Sequence, residues 1–343
     1  MTGPQEHTHL MLVAPSANRV YTAGAAPLAA AELELCGPFT DVRPVTLAGV
    51  DYLGFEVPEL DADALRVLAG HSTHLATFER AGTAEDPLLR PVEVPSTDVL
   101  DDDLVTIPKY QGKTNELFTR LLLNVTLAQV RTRTEGPLTV LDPLCGRGTT
   151  LTTAWLAGHH AAGVEADVKA LEQMAAFLKT WLRRKRLKHT ADVSPVRRDG
   201  KSLGRRLDVE VRPADGPVLR LTAFSGDTRQ SAELYGRRTF DAVVTDAPYG
   251  VVHGSRSDVR GVSGRRDRSA AALLREAVPV WAGQLKDGGA LGISWNTLQM
   301  TREELAEVLT AAGLEPFDGG PWLQLAHRVD ASIQRDLMVA RKV

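Results

Sequence analysis

The chain reads as an α/β protein: a small ferredoxin-like unit ahead of a larger, Rossmann-like, doubly wound and mostly parallel sheet. Three observations predict this. Beyond residue 138, short apolar runs alternate with helical stretches, the sequence form of a parallel sheet with crossover helices. Before residue 96 the order of elements is β-α-β-β-α-β. Between the two stand Pro95-Ser96-Thr97 and the acidic run Asp101-Asp102-Asp103, a linker signature that divides the chain into domains 1–100 and 101–343. Two domains suit 343 residues at about 150 each.

Each element has its own warrant. Residues 10–14 (Leu-Met-Leu-Val-Ala) form an apolar strand. Residues 27–36 are rich in Ala, Leu and Glu and predict a helix, which Gly37-Pro38 stops. Residues 42–57 are β-rich and break at Ala48-Gly49, giving two strands. Residues 61–80 predict a helix capped by Asp61 or Asp63, and 88–94 a last strand. In the second domain, a helix over 115–131 takes Thr114 or Asn115 as its cap. Strand 138–142 precedes helix 149–157, and strand 161–165 precedes helix 168–188. A hairpin of 209–211 with 218–223 turns at Ala214-Asp215-Gly216-Pro217. Strand 242–246 leads to helix 270–285, and strand 290–295 to helix 302–312; strand 332–339 closes the sheet. Ligands of such sheets bind beyond the carboxyl ends of the strands, where Asp142, Glu165, Asp227 and Asp246 fall.

Composition narrows the classes of function. Apolar content of 43% and charged content of 24% are those of an ordinary globular chain. No run approaches the roughly 18–20 apolar residues that span a bilayer, and no signal peptide opens the sequence, so a cytoplasmic protein is expected. Cys36 and Cys145 make no disulfide framework, and the nine histidines show no metal-ligand spacing, so no metal is expected. The net charge of −3 conceals an asymmetry: residues 1–103 carry −12 and the remainder +9. The second domain therefore suits a polyanionic partner.

The first motif is Asp142-Pro143-Leu144-Cys145-Gly146-Arg147-Gly148-Thr149. An acid ends a buried strand, two glycines permit a sharp turn close to a ligand, and a helix begins with its N–H groups unpaired. Glu165, 23 residues after Asp142, stands where nucleotide-binding βαβ units place the acceptor for ribose hydroxyls. Asp227 follows the next strand and can accept from an adenine amino group. Pro143, Cys145 and Thr149 complete the turn, with Cys145 a small turn residue rather than a nucleophile. Leu151 stands where a dinucleotide fingerprint needs its third glycine. Gly112-Lys113-Thr114 has the ending of a phosphate loop, but Ile107 replaces its first glycine.

The second motif, Asp246-Ala247-Pro248-Tyr249, ends a strand 104 residues after Asp142. An exocyclic amine on a nucleobase is a poor nucleophile, because its lone pair is delocalised into the ring. The Asp246 carboxylate and the Ala247 carbonyl can accept its two N–H bonds and draw the nitrogen toward tetrahedral geometry. Pro248 holds Ala247 in an extended conformation. Tyr249 can stack on the base, and Asp246 favours the positive charge that grows on nitrogen.

Together the two motifs resemble those of class I amino-methyltransferases, and most closely the THUMP-associated tRNA guanosine 2-amino methyltransferases. Those carry an Asp-Pro-Phe/Leu-Cys-Gly-x-Gly cofactor turn and a Thr-Asp-Pro-Pro-Tyr-Gly catalytic turn. The resemblance spans residues 105–343. It implies S-adenosylmethionine as cofactor, held by Asp142, Gly146, Gly148, Glu165 and Asp227, with Asp246, Pro248 and Tyr249 at the target amine. It implies tRNA as partner. Residues 9–95 resemble the ferredoxin-like segment that precedes the THUMP module in that family, although the chain has little room for a full module. Ala247 stands where the family has its first proline, which leaves the carbonyl and loosens the turn. DNA methylation at an adenine or cytosine amine uses the same turn. Protein-amide methylation begins it with Asn instead of Asp. A non-catalytic nucleic-acid-binding protein on the same scaffold would not need Asp142, Glu165 and Asp246 together.

Two basic segments complete the reading. Residues 181–206 hold ten Lys/Arg against two Asp. Residues 254–268 read as a loop beside the target base, where Arg256, Arg260, Arg265, Arg266 and Arg268 are candidates for phosphate contacts. Trp181, Trp295 and Trp322 are expected in the core or at its rim.

Overall fold

The computed structural model describes residues 7–14, 19–83, 86–110, 112–198, 201–214, 216–249 and 270–343. The N-terminal unit comprises β1 (His9–Val13), α1 (Arg19–Cys36), β2 (Thr40–Leu47), β3 (Val50–Glu56), α2 (Ala62–Gly70), β4 (His74–Gly82) and β5 (Pro87–Val92). Its sheet runs β2-β3-β1-β4-β5 with every pairing antiparallel. The β-α-β-β-α-β order is the expected ferredoxin-like one, but β4 completes it, and the strand expected last, over 88–94, is β5, an added edge strand.

The expected helix over 61–80 is half strand. Asp61 caps α2 as anticipated, its Oδ1 accepting from the N–H groups of Asp63 (3.0 Å) and Ala64 (2.8 Å). The helix then stops at Gly70, because His71 turns extended (ψ 136°) and its buried ring is held on both sides. Its Nε2 donates to the Ala29 carbonyl (2.9 Å) and its Nδ1 accepts from Thr73 N–H (3.2 Å). The Leu, Ala, Glu and Arg of residues 75–80 favour a helix in isolation, but β4 is fixed by pairing with β1, Phe78 opposite Leu10 and Thr77 opposite Met11.

The larger unit begins with α3 (Asp103–Thr106) and α4 (Glu116–Leu127), the latter capped by Asn115, which accepts from Leu117 N–H at 2.8 Å. Then come β6 (Thr139–Asp142), α5 (Thr149–Leu156), β7 (His160–Glu165), α6 (Val168–Arg184), β8 (Lys188–Arg198), β9 (Lys201–Arg212) and β10 (Leu219–Ser225). They are followed by α7 (Ser231–Tyr235), β11 (Phe240–Asp246), α8 (Ala270–Gln284), β12 (Leu285–Asn296), α9 (Arg302–Ala311), β13 (Leu314–Pro316), β14 (His327–Arg328) and β15 (Gln334–Lys342). The sheet runs β13-β15-β12-β11-β6-β7-β10-β9-β8, and β10-β7-β6-β11-β12 are mutually parallel. This is the Rossmann-like, doubly wound sheet expected from the sequence. The chain winds outward from β6 to β10 and returns to β11, so the crevice opens beyond the carboxyl ends of β6 and β11. The strand β15 runs antiparallel to β12, so its first residues reach the same edge as the last residues of β11 and β12. No described helix is long and apolar enough to cross a membrane.

A second correction concerns the basic run. The helix expected to reach residue 188 ends at Arg184, where Lys185 caps it and Arg186 takes a left-handed φ of 56°. The chain reverses into β8, which with β9 extends the expected hairpin. Among the described residues, three of the run's ten cations are internally paired: Lys185 with Asp101 (2.8 Å) and Asp103 (2.7 Å), Arg205 with Glu172 (2.8 Å), and Arg206 with Asp208 (2.7 Å). Trp181, Trp295 and Trp322 are buried, as anticipated.

The two units are joined through α1. Its Ala29, Ala30 and Leu33 pack with Met11, Phe39 and Phe55 of the small sheet, while Leu28 and Ala31 enter the core of the large one. Glu32 lies between these faces, fully buried. Its Oε1 accepts from Ser72 N–H (2.8 Å) and from Asn124 Nδ2 (2.7 Å) on α4, and its Oε2 from the Ser72 hydroxyl. Beside it, Arg120 grips Asp98 through two bonds of 2.8 and 2.7 Å and reaches the Gly70 carbonyl at 2.9 Å. Replacing Glu32 by Ala strands buried donors on both units. Denaturant unfolding of Glu32→Ala is expected to show a loss of about 2–4 kcal/mol; a loss under about 1 kcal/mol would mean that apolar packing alone joins them.

Candidate functional site

The two motifs meet because β6 and β11 are neighbours. Asp142 ends β6 and is almost wholly buried; its Oδ1 accepts from Leu144 N–H (3.1 Å) and from the hydroxyl of Thr245 on β11 (2.9 Å). Burial raises its pKa from 3.8 to about 6, against the opposing pull of bonds from Thr150, Leu144 and Thr245.

The turn after Asp142 is tightly specified. Cys145 N–H donates to the Val164 carbonyl on β7 (3.0 Å), and Gly148 N–H returns to the Cys145 carbonyl (2.7 Å). Gly148 has φ 88°, a left-handed conformation that calls for glycine, and a Cβ there would also press on the Met174 thioether. Cys145 is buried and packs against Gly163; burial pushes its thiol pKa well up, consistent with a turn residue and not a nucleophile. Thr149 opens α5, and its Oγ1 lies 3.0 Å from the Tyr110 hydroxyl. Glu165 fixes the turn from β7, its Oε2 accepting from Gly146 N–H (2.8 Å) and its Oε1 from Asp167 N–H (2.7 Å).

Two cavities open on this edge. The first, about 510 Å³, is lined by Pro143, Glu165, Asp227 and Arg229 with residues of α8. Asp227 caps the 3-10 turn Thr228–Gln230, and Arg229 Nε donates to its Oδ1 at 2.9 Å. The second, about 460 Å³, is lined by Asp142, Cys145, Gly146, Thr149 and the whole run Asp246, Ala247, Pro248 and Tyr249. Leu144 and Pro248 belong to both.

At Asp246 both carboxylate oxygens are oriented by hydroxyls: Thr114 donates to Oδ2 at 2.7 Å and Tyr249 to Oδ1. Burial, then the neighbouring Asp246 charge, hold the Tyr249 phenol pKa well above its usual value, so it stays a donor. Ala247 is buried, and its N–H donates to the Ser294 carbonyl at 2.8 Å, which sets the plane of the Asp246–Ala247 peptide.

Sequence reasoning missed three residues of this wall. Thr114 was visible as the end of a false phosphate loop and as a possible cap of α4; Asn115 is the cap, and the Thr114 hydroxyl instead serves Asp246. Tyr110, with Arg147 4.5 Å over its ring, lines the mouth. Arg335 lines the depth; only the antiparallel sense of β15 would have placed it there. The five loop arginines Arg256, Arg260, Arg265, Arg266 and Arg268 lie outside the described residues. Among the described residues, no group of three or more His, Cys, Asp or Glu could hold a metal ion.

No protein-family profile matches the chain, and no curated protein matches it. Solved structures similar to it include TrmN from Thermus thermophilus, 13% identical with a TM-score of 0.43, covering 88% of this chain and 59% of that one. Another is the rRNA methyltransferase aviRa from Streptomyces viridochromogenes, 18% identical with a TM-score of 0.39, covering 71% and 91%. A third is a TehB-like SAM-dependent methyltransferase from Corynebacterium glutamicum, 14% identical with a TM-score of 0.35, covering 61% and 83%.

Asp142 carries a testable cost. Its folded pKa is raised, so its contribution to stability is full below about pH 4 and is lost as pH rises through about 6. Asp142→Asn keeps the acceptor for Leu144 and Thr245 and removes the buried charge. It is expected to stabilise the fold at pH 8 by up to roughly 3 kcal/mol, a gain that shrinks toward pH 4. Urea unfolding across that range checks it; an equal loss at every pH would show that the carboxylate is not strained.

Proposed function

We propose that this protein transfers a methyl group from S-adenosylmethionine to an exocyclic amine of a nucleobase, namely the 2-amino group of a guanosine in tRNA. The observation that carries this reading is the union of the two motifs: Asp246 and its turn share one cavity with Asp142 and the glycine turn, and Asp142 is bonded to Thr245 beside Asp246.

The residues fit this cofactor better than a dinucleotide. Asp142, Glu165, Asp227 and Asp246 all line the two cavities. These acids can accept from ribose hydroxyls, an adenine amine and a cationic amino-acid end, and Leu151 stands where a dinucleotide turn needs its third glycine. Glu165 and Asp227 would take the ribose and adenine end in the first cavity, and Asp142 with Gly146 the amino-acid end in the second. When bound, the cofactor supplies an electrophilic methyl group.

The chain's own residues then supply position and charge. Each Asp246 oxygen accepts one hydroxyl and keeps a lone pair, so the carboxylate can still receive an amine N–H. The Ala247 carbonyl, on the peptide that leads to Pro248, offers a second acceptor one unit beyond the peptide that Ser294 holds. Two acceptors at fixed places draw the nitrogen lone pair out of conjugation, and Asp246 stabilises the charge that forms. The nitrogen loses one proton after transfer, to Asp246 or to water.

The test is to incubate tRNA, and separately DNA, with the protein and methyl-labelled cofactor, and to identify the labelled nucleoside by mass spectrometry. N2-methylguanosine from tRNA is expected, and Asp246→Ala should lower its formation by about 100-fold or more. Calorimetry on that variant should show S-adenosylmethionine still bound. Label in an adenine or cytosine amine of DNA would replace the substrate, and loss of cofactor binding would misassign Asp246.

A further inference from the structure

We infer that Arg335 is a specificity-determining residue of the Asp246 cavity: its guanidinium receives a carbonyl oxygen carried on the same base edge as the amine. The inference rests on the amine-methylation reading of that site and goes on to name the edge that the site reads.

Four observations lead there. First, β15 runs against β12, with Arg335 opposite Asn296, so its opening residues arrive at the edge where β11 delivers Asp246. Second, Arg335 is buried to 7% exposure and lines the cavity that holds Asp246 and Tyr249. Third, among the described residues no carboxylate pairs with it, and its buried Nε has no hydrogen-bond partner. Fourth, its guanidinium carbon lies 4.4 Å from the centre of the Phe118 ring and 5.0 Å from that of Tyr249, so two ring faces hold its place.

A buried guanidinium N–H without an acceptor is costly, and ring faces recover only part of that cost. A group kept in that state at the wall of a cavity is built for an acceptor that arrives with the ligand. The acceptor is a neutral carbonyl and not a phosphate, because Asp142 and Asp246 line the same cavity, while its other cations are engaged elsewhere, Lys113 with Glu116 and Arg147 over Tyr110. Arg147, exposed at the mouth over Tyr110, is the better phosphate contact.

Asp246 only accepts and Arg335 only donates. Together they read an edge bearing an amine and, across the ring, a carbonyl. Guanine presents that pair as its 2-amino and 6-oxo groups, and cytosine as its 4-amino and 2-oxo groups. Adenine has the amine and no carbonyl. A site built around a donor rejects the analogue that lacks its acceptor, because the donor is left buried and unpaired.

The test uses the full chain saturated with S-adenosylhomocysteine and measures, by calorimetry, its binding of four nucleoside 5′-monophosphates. These are guanosine, cytidine, adenosine and 2,6-diaminopurine riboside. The last keeps the 2-amine of guanine and replaces its carbonyl by a second amine. The wild-type chain should prefer guanosine over the diaminopurine by about tenfold or more. A stronger preference for cytidine would assign the same edge to that base. Arg335→Met, which can still fill the gap between the rings, should bind guanosine and diaminopurine alike, and Arg335→Lys, without the planar fork, should fall between. The inference is overturned if the wild-type chain shows no preference for the oxo bases, a result that needs no variant to fold, or if Arg335→Met keeps the preference while binding the cofactor product normally. A wild-type chain that keeps the preference but methylates neither tRNA nor DNA removes the proposed reaction and leaves this recognition standing.

Discussion

The bond from the Thr245 hydroxyl to the Asp142 carboxylate is the point on which the site depends. It joins the ends of two adjacent parallel strands, and each strand end opens into one of the two turns. Without that adjacency the turns would be two unrelated loops 104 residues apart. With it, Leu144 from one turn and Pro248 from the other become common walls of two cavities. The bond comes with strain of an electrostatic kind. Asp142 is held out of water, and three hydrogen bonds only partly offset the loss of hydration. Stability is sacrificed at the place where a cationic ligand would relieve it, the pattern expected where sites are built for binding more than for folding.

What the sequence made legible follows from how directly each signal is written. A buried parallel strand ending in an acid is written in one stretch, so β6, β7 and β11 with Asp142, Glu165 and Asp246 were placed from residues alone. The glycine turn was equally plain, because Gly148 takes a left-handed φ that calls for glycine. Signals that depend on distant partners were not visible. The strand β4 has helix-forming residues and becomes a strand because β1 offers its edge. The strand β8 hides in a basic run, because Arg186 reverses the chain where a helix pattern continues. Arg335 reads locally as one charge in a polar stretch, and only the direction of β15 gives it a place in the site.

Charge followed the same rule. The acidity of the first hundred residues suggested two electrostatically separate halves. Part of it is spent internally instead. Asp98 holds Arg120, Asp101 and Asp103 hold Lys185, and Asp103 also accepts from the Trp181 indole at 2.8 Å. The linker is thus a clasp that fastens α4 and α6, and part of the basic run over 181–206 meets its acids on the same chain.

The two-faced helix α1 decides how the two units are held together. One side of it belongs to the small core and the other to the large one, and Glu32 closes the seam with polar bonds that tolerate little sliding. No hinge is left between the units. The small sheet is therefore carried at a set place relative to the crevice beyond β6 and β11, held there by one shared helix and one buried carboxylate.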